Sequence, residues 1–125
     1  LPYWLQTFAL RLQQAGLFTE TPDQVIINEY QPGQGISAHI DCVPCFADTI
    51  ASLSLGSPCV MGFTHSKTGE RVSLLLEPRS LVVLSGDARY LWKHSIPHRK
   101  TDRYNGQGLP RGRRLSLTFR KVVLV

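Results

Sequence analysis

The chain has 125 residues, of which 42% are hydrophobic and 18% are charged, and its formal net charge is +5. This size fits a single domain, and the composition excludes a disordered chain. There is no apolar run long enough to cross a membrane, and no signal peptide is expected. The surplus of basic residues favours a polyanionic partner such as nucleic acid.

A leading helix and a series of short strands are predicted. Apolar residues recur at three- and four-residue steps at Leu1, Leu5, Phe8, Leu12 and Ala15, which indicates an amphipathic helix. Beyond residue 23, segments rich in Val, Ile, Leu and Phe alternate with turn residues, which indicates strands. The predicted strands are 24–30, 36–41, 49–55, 58–64, 71–76, 80–84 and 114–122. This order predicts a mainly β fold, a sandwich or barrel, with a flanking helix.

Two segments outside these strands are predicted to form a helical turn and a loop. A helical turn is predicted over 88–93. The polar, glycine-bearing and basic stretch 100–113 is predicted to be a mobile surface loop, which either follows the phosphates of a nucleic acid or is solvated without a partner. Arg89 is expected at the mouth of a substrate pocket.

The cysteines indicate the redox environment. Cys42, Cys45 and Cys59 make an odd number, which does not suit a disulfide framework. We therefore expect a reducing, intracellular compartment, cytoplasmic or nuclear, and buried free thiols. A zinc site at the Cys-x-x-Cys pair would need further ligands from distant residues.

A histidine and an acidic residue lie two positions apart in His39-Ile40-Asp41, on the predicted strand 36–41. Side chains two apart in a strand project from the same face, so the imidazole and the carboxylate would lie side by side. Ile36, Ala38 and Ile40 are expected on the opposite face, packed in the core. Two inward polar groups are costly to bury unless they bind something, and a divalent metal satisfies both.

A third metal ligand must come from elsewhere in the fold. Two histidines and one carboxylate are the ligands of non-haem Fe(II) oxygenases, which keep three coordination positions open. The candidates are His65, His94 and His98. We choose His94, because it follows a compact apolar stretch, whereas the other two lie in predicted loops.

The last predicted strand alternates strictly between apolar and polar residues. One face carries Leu115, Leu117 and Phe119, and the other carries Arg114, Ser116, Thr118 and Arg120. Two guanidinium groups on one face could hold a dicarboxylate by charge-assisted hydrogen bonds at both ends. Asn28 and Tyr30 share a face of the first strand and could add an amide and a phenol to this anion pocket.

Together these residues resemble the AlkB-like Fe(II)/2-oxoglutarate-dependent dioxygenases over about residues 22–122. The resemblance lies in the motifs Asn28-Glu29-Tyr30, Pro32-Gly33-Gln34-Gly35-Ile36 and His39-Ile40-Asp41, followed by His94 and the strand 114–120. It implies a double-stranded β-helix, the cupin-like jelly roll, and a catalytic core that requires Fe(II), 2-oxoglutarate and O2.

The resemblance also implies roles for individual residues. His39, Asp41 and His94 would be the iron ligands. Arg114, with Tyr30 and Ser116 beside it, would hold the distal carboxylate of 2-oxoglutarate. Arg120 and Asn28 would lie near the end of 2-oxoglutarate that chelates iron.

Segments 51–57 and 85–92 are most similar to the branch of the family that hydroxylates modified wobble uridines in tRNA. The substrate implied is therefore tRNA or alkylated DNA or RNA, the alternative being a protein or a lipid on the same scaffold. A binding module without metal is a third possibility, which the complete ligand set disfavours. We expect residues 1–125 to form the catalytic core of a monomer, with most of the family's N-terminal nucleotide-recognition lid outside them.

Overall fold

The computed structural model describes residues 1–123, in which ten strands and two helices are present. The helices are α1 (Tyr3–Gln14) and α2 (Asp87–Tyr90). The strands are β1 (Gln24–Tyr30), β2 (Ile36–His39), β3 (Phe46–Gly56), β4 (Cys59–His65), β5 (Arg71–Leu76), β6 (Ser80–Ser85), β7 (Trp92–Ile96), β8 (Thr101–Tyr104), β9 (Gln107–Pro110) and β10 (Arg114–Val122). Within this part of the chain, neither helix is both long and apolar enough to span a bilayer.

Two antiparallel four-stranded sheets enclose a cavity. The major sheet has the order β1-β10-β3-β6 and the minor sheet has the order β2-β7-β4-β5. Side chains from both sheets line the space between them. The prediction of a mainly β jelly roll with a flanking helix is confirmed.

Helix α1 packs on the outer face of the major sheet. Its buried residues, Leu5, Ala9 and Leu12, join Leu117 and Phe119 of β10 in one apolar cluster. The predicted alternation on β10 is therefore correct, since its apolar face meets the helix and its polar face lines the cavity. A one-residue shift of β10 would turn its apolar side chains away from the helix and both arginines out of the cavity. The burial of apolar surface against α1 therefore fixes which way the strand faces.

The predicted mobile loop at 100–113 is wrong, because β8 and β9 form a hairpin there. Asn105 and Gly106 both have positive φ, of 50° and 78°, as a two-residue type I′ turn requires. The Asn-Gly pair was the sequence signal for this hairpin. The flanking strands were missed because they have only four residues each and little apolar alternation.

Two boundaries near the site also differ from the predictions. The helical turn predicted over 88–93 ends at Tyr90, and β7 begins at Trp92. Strand β2 ends at His39, so Asp41 lies just beyond it. Pairing of β2 with β7 shifts between Ile36 and His39. This irregularity leaves Ala38 exposed rather than in the core, and Ile36 lines the same cavity as His39 instead of the opposite face.

Candidate metal centre and anion pocket

Three side chains converge at one end of the cavity. His39 at the end of β2 is directly opposite His94 on β7, and the chain then turns to bring Asp41 between them. The ligand atoms of all three lie within 4.8 Å of one another. The structure thus brings together the three residues that the sequence singled out as metal ligands.

The two oxygens of the Asp41 carboxylate have different neighbours. Oδ1 lies 3.3 Å from Nε2 of His39 and 3.4 Å from Nε2 of His94. Oδ2 accepts a hydrogen bond of 3.0 Å from Nη1 of Arg120. One oxygen therefore faces the imidazoles, while an arginine holds the other in place.

The carboxylate of Asp41 stays ionised despite its burial. Burial alone would raise the pKa of this group, but hydrogen bonds and charge from His94 and Arg120 lower it from 3.8 to about 2. An ionised carboxylate is the form that coordinates a metal, so the site holds its anionic ligand ready at neutral pH.

A backbone contact of the second ring nitrogen, Nδ1, sets the orientation of the His39 imidazole. Nδ1 lies 2.8 Å from the carbonyl oxygen of Ser37. Because a carbonyl can only accept, Nδ1 carries the hydrogen, which leaves Nε2 as the nitrogen that faces Asp41 and is available to a metal. A backbone carbonyl that orients an imidazole in this way is typical of metal-ligating histidines.

At the other end of the cavity, Arg114 is 3% exposed and under-satisfied. Its Nη2 donates to Oγ of Ser54 over 2.9 Å. Within the described residues, its Nε and Nη1 have no hydrogen-bond partner. A buried guanidinium with free donors is costly unless an anion binds it, so this end of the cavity suits a carboxylate.

The remaining predicted pocket residues lie along the major sheet between these two ends. Tyr30 is opposite Arg114 in the β1–β10 register, and its ring is 5.4 Å from the guanidinium carbon. Asn28 is opposite Ser116, one step nearer the metal centre. Asn28 lines the same cavity as Arg114 and Arg120, and its place near the iron-chelating end of 2-oxoglutarate stays a prediction.

Arg120 has hydrogen-bond partners within the protein, whereas the strand pattern suggested that it would hold one end of a dicarboxylate. Its Nη1 donates to Asp41, and its Nε donates to Oε1 of Gln24 over 2.9 Å. The guanidinium also lies 4.0 Å above the ring of Phe46. Two of its donors are thus committed to protein groups, and its contact with a cosubstrate stays a prediction.

The cavity itself has a volume of about 230 Å³. Apolar side chains from both sheets line much of the wall between the two polar ends. They are Ile26, Ile36, Ile50, Met61, Val82, Leu84 and Ile96.

The other two candidate histidines lie outside the cluster. Nδ1 of His65 accepts hydrogen bonds from the backbone N–H groups of Lys67 and Thr68 in the β4–β5 turn. His98 is exposed after the end of β7. His65 is thus the last residue of β4 rather than a loop residue and holds the turn that follows, and neither histidine belongs to the cluster.

The expectation of three buried free thiols is wrong for two of the cysteines. Cys42 and Cys45 are exposed and joined by a disulfide. Cys59 is free and buried, and burial raises the pKa of its thiol. An odd count cannot reveal this, because it does not say which two cysteines lie within bonding reach.

Sequence reasoning missed the partners of the predicted residues. Ser54 is fully buried against Arg114, and Gln24 holds Arg120, yet neither residue was singled out. The period-two pattern offers a signal for Gln24, since it shares the inner face of β1 with Asn28 and Tyr30. Ser54 becomes visible only once β3 is known to lie beside β10.

Comparison with known proteins gives a family for this arrangement. A family model described as the 2OG-Fe(II) oxygenase superfamily matches residues 1–120. An uncharacterized mimivirus protein, L905 from Acanthamoeba polyphaga mimivirus, is 40% identical over 124 residues, which cover 98% of this chain and 59% of that protein.

A second relative has a named activity. The macaque protein ALKBH8 (Macaca fascicularis), named as a tRNA (carboxymethyluridine(34)-5-O)-methyltransferase, is 43% identical over 138 residues. The match covers 98% of this chain and 21% of ALKBH8. The chain therefore spans only part of the length of either relative.

A solved structure shares the fold. The structure of OsALKBH1 superposes with a TM-score of 0.69 over 97% of this chain and 64% of that chain. The two sequences are 19% identical, so this likeness concerns the fold alone.

Proposed function

The chain belongs to the 2OG-Fe(II) oxygenase superfamily and to its AlkB-like members, and on this premise we propose that it is the catalytic core of a dioxygenase that oxidises a nucleic acid. Fe(II), 2-oxoglutarate and O2 are the cofactor and cosubstrates of this superfamily. The observation that carries the proposal is one cavity with a His-Asp-His cluster at one end and under-satisfied Arg114 at the other.

The residues fit the implied metal. Nε2 of His39, Oδ1 of Asp41 and Nε2 of His94 would hold Fe(II) as two imidazoles and one carboxylate. When bound, the iron and 2-oxoglutarate supply the oxidising chemistry that inserts oxygen into a substrate C–H bond. Arg120 keeps Oδ1 of Asp41 turned toward the imidazoles by holding Oδ2.

The residues also fit the implied cosubstrate. The Nε and Nη1 donors of Arg114 would bind the distal carboxylate of 2-oxoglutarate, with Tyr30 and Ser116 beside it. Ser54 holds the guanidinium from behind. The apolar side chains between the two ends would limit the access of water to the reacting groups.

The nucleic-acid substrate rests on two supports. The name of ALKBH8 places its activity on uridine 34 of tRNA, and the present chain carries a net charge of +5. We propose a modified tRNA nucleoside as the substrate and hydroxylation as the reaction, with demethylation of alkylated bases as the competing outcome. We do not propose the methyltransferase activity of that name, because the matching residues form the oxygenase fold. An intracellular monomer, cytoplasmic or nuclear, completes the proposal.

Incubation with defined substrates tests this proposal. The protein is supplied with Fe(II), ascorbate and 2-oxoglutarate, together with bulk tRNA or methylated oligonucleotides, and the products are measured by mass spectrometry. We expect a tRNA nucleoside to gain one oxygen atom, with succinate formed in step, and His39→Ala to abolish both products.

The other outcomes decide among the alternatives. Loss of a methyl group from the oligonucleotides would indicate demethylation in place of hydroxylation. Oxidation of a protein or lipid extract, with both nucleic acids unchanged, would refute a nucleic-acid substrate while leaving the oxygenase intact. Succinate formation that is equal in the wild type and His39→Ala would refute the proposed iron site.

A further inference from the structure

The buried guanidinium of Arg89 has no carboxylate partner among the described residues and is surrounded by backbone carbonyls. The residue is 2% exposed. Nη1 donates to the carbonyl oxygen of Asp41 over 2.8 Å, and Nη2 to that of Cys42 over 3.1 Å. Weaker contacts reach the carbonyl oxygens of Phe46 and Ala47 at 3.4 and 3.3 Å. Sequence reasoning placed Arg89 at the pocket mouth, and its burial shows that this was wrong.

Two of these carbonyls, those of Asp41 and Cys42, belong to the loop that carries Asp41, and the other two lie at the start of β3. Residues 40–45 connect β2 to β3, and the side chains of 42–45 are exposed. A loop with so little buried side-chain surface gains little rigidity from packing. Within the loop, the Cys42–Cys45 disulfide and a backbone hydrogen bond between the same two residues fix the turn, while Arg89 bonds both ends of the segment from Asp41 to Ala47.

Arg89 also belongs to the segment that leads to His94. It lies on α2, five residues before that histidine, and α2 runs almost directly into β7. Its side chain thus connects the two stretches of chain that supply two of the proposed iron ligands. No other side-chain hydrogen bond described in the structure joins the 85–96 segment to the backbone of Asp41.

We propose that Arg89 is a positioning residue, which fixes the backbone of Asp41 relative to His94 and so sets the affinity of the site for its metal. This inference rests on the proposed ligand set. Arg89 holds the backbone of Asp41 to the segment that leads to His94. If Arg89 is removed, binding of the metal also carries the entropic cost of fixing Asp41 relative to His94.

A purely structural role would give a different result, and Arg111 provides the matched control. Its side chain is 5% exposed. It donates to Asp102, to the carbonyl oxygen of Pro97 over 2.7 Å and to that of Gln34 over 3.2 Å. Arg111 is therefore a second buried arginine that holds backbone carbonyls, but it lies beside the β8–β9 hairpin, away from the His-Asp-His cluster.

The test is an anaerobic titration of the metal-free protein with Co(II), followed by its visible absorption, for the wild type, Arg89→Met and Arg111→Met. Melting temperatures are measured in parallel, and the titrations are run where all variants are folded. We expect both variants to melt earlier. Arg89→Met should raise the Kd for Co(II) about 10- to 100-fold, whereas Arg111→Met should change it by less than about two-fold.

An unchanged Kd in folded Arg89→Met, or an equal rise in Arg111→Met, would overturn the positioning role. If Arg89→Met does not fold, Arg89→Lys replaces it, since the ammonium keeps the charge but loses the planar fork. A Kd for Arg89→Lys equal to that of the wild type would overturn the inference as well. His39→Ala distinguishes a failure of the ligand set from a failure of the positioning role. If this variant binds Co(II) like the wild type, the ligand set itself is wrong.

Discussion

The Asp41 carboxylate illustrates how single residues organise this site. One oxygen faces two imidazoles, the other is held by Arg120, and the carbonyl of the same residue is held by Arg89. The spacing of His39 and Asp41 predicted that the two would be neighbours. The arginine contacts could not be predicted in this way, because 79 and 48 residues separate the bonded pairs and only the folded sheets bring them together.

At the same scale, Arg114 is expected to determine the affinity for 2-oxoglutarate. Arg114→Gln removes the charge and the two free donors that face the cavity. Loss of charge-assisted hydrogen bonds to a carboxylate should raise the KM for 2-oxoglutarate on the order of 10- to 100-fold. The value is measured by succinate formation at saturating Fe(II).

The adjacent Arg113 is the matched control for this substitution. Its side chain is 62% exposed and forms a surface ion pair with Glu29. Arg113→Gln should leave the KM for 2-oxoglutarate unchanged, because it points away from the cavity. Equal KM values in Arg114→Gln and the wild type would disprove the assignment of the carboxylate-binding end.

The strands differ in how well their side-chain directions could be predicted. On β1 and β10 the period-two pattern was correct, since their pairing runs from Gln24–Arg120 to Tyr30–Arg114 without a shift. On β2 it failed at Ala38, because the register shifts within four residues. Regular pairing preserves alternation, whereas an irregular short strand does not.

The β8–β9 hairpin has its own anchor, Asp102, which is 1% exposed. The carboxylate accepts hydrogen bonds from Arg99, Arg111 and the backbone N–H of Val60 on β4. Burial alone would raise the pKa of Asp102, but these donors outweigh it and the pKa is lowered. The ionised form therefore ties the hairpin to the minor sheet.

Asp102→Asn should lower the stability of the protein in a manner that depends on pH. The folded-state pKa lies below the unfolded value, so the stabilisation by Asp102 is fully present above about pH 4 and is lost as the pH falls through the folded-state pKa. We expect a loss of about 3–5 kcal/mol in the free energy of unfolding near neutral pH. The difference from the wild type should shrink in acid, as measured by urea denaturation at several pH values.

Asp23→Asn is the control for this experiment. Asp23 pairs with Lys121 on the surface, where its side chain is 45% exposed, so its loss should cost less than about 1 kcal/mol. A pH-independent difference between Asp102→Asn and the wild type would show that the charge of Asp102 does not hold the hairpin.

For the whole molecule, the sandwich brings two chemically distinct ends into one cavity. The metal centre comes from β2, β7 and the loop after β2, and the anion-binding end comes from β1 and β10. The sequence contained both residue sets as separate strand patterns. Their position in a single space depends on how the two sheets face each other, which local periodicity does not specify.

The central claim, that His39, Asp41 and His94 assemble Fe(II) beside a bound 2-oxo acid, is tested most directly by anaerobic absorption spectroscopy. A 2-oxo acid that chelates Fe(II) produces a visible charge-transfer band. We expect this band when Fe(II) and 2-oxoglutarate are added to the wild type and to His98→Ala, whose imidazole is exposed. His94→Ala should not produce it. A band of equal intensity in folded His94→Ala would contradict the account.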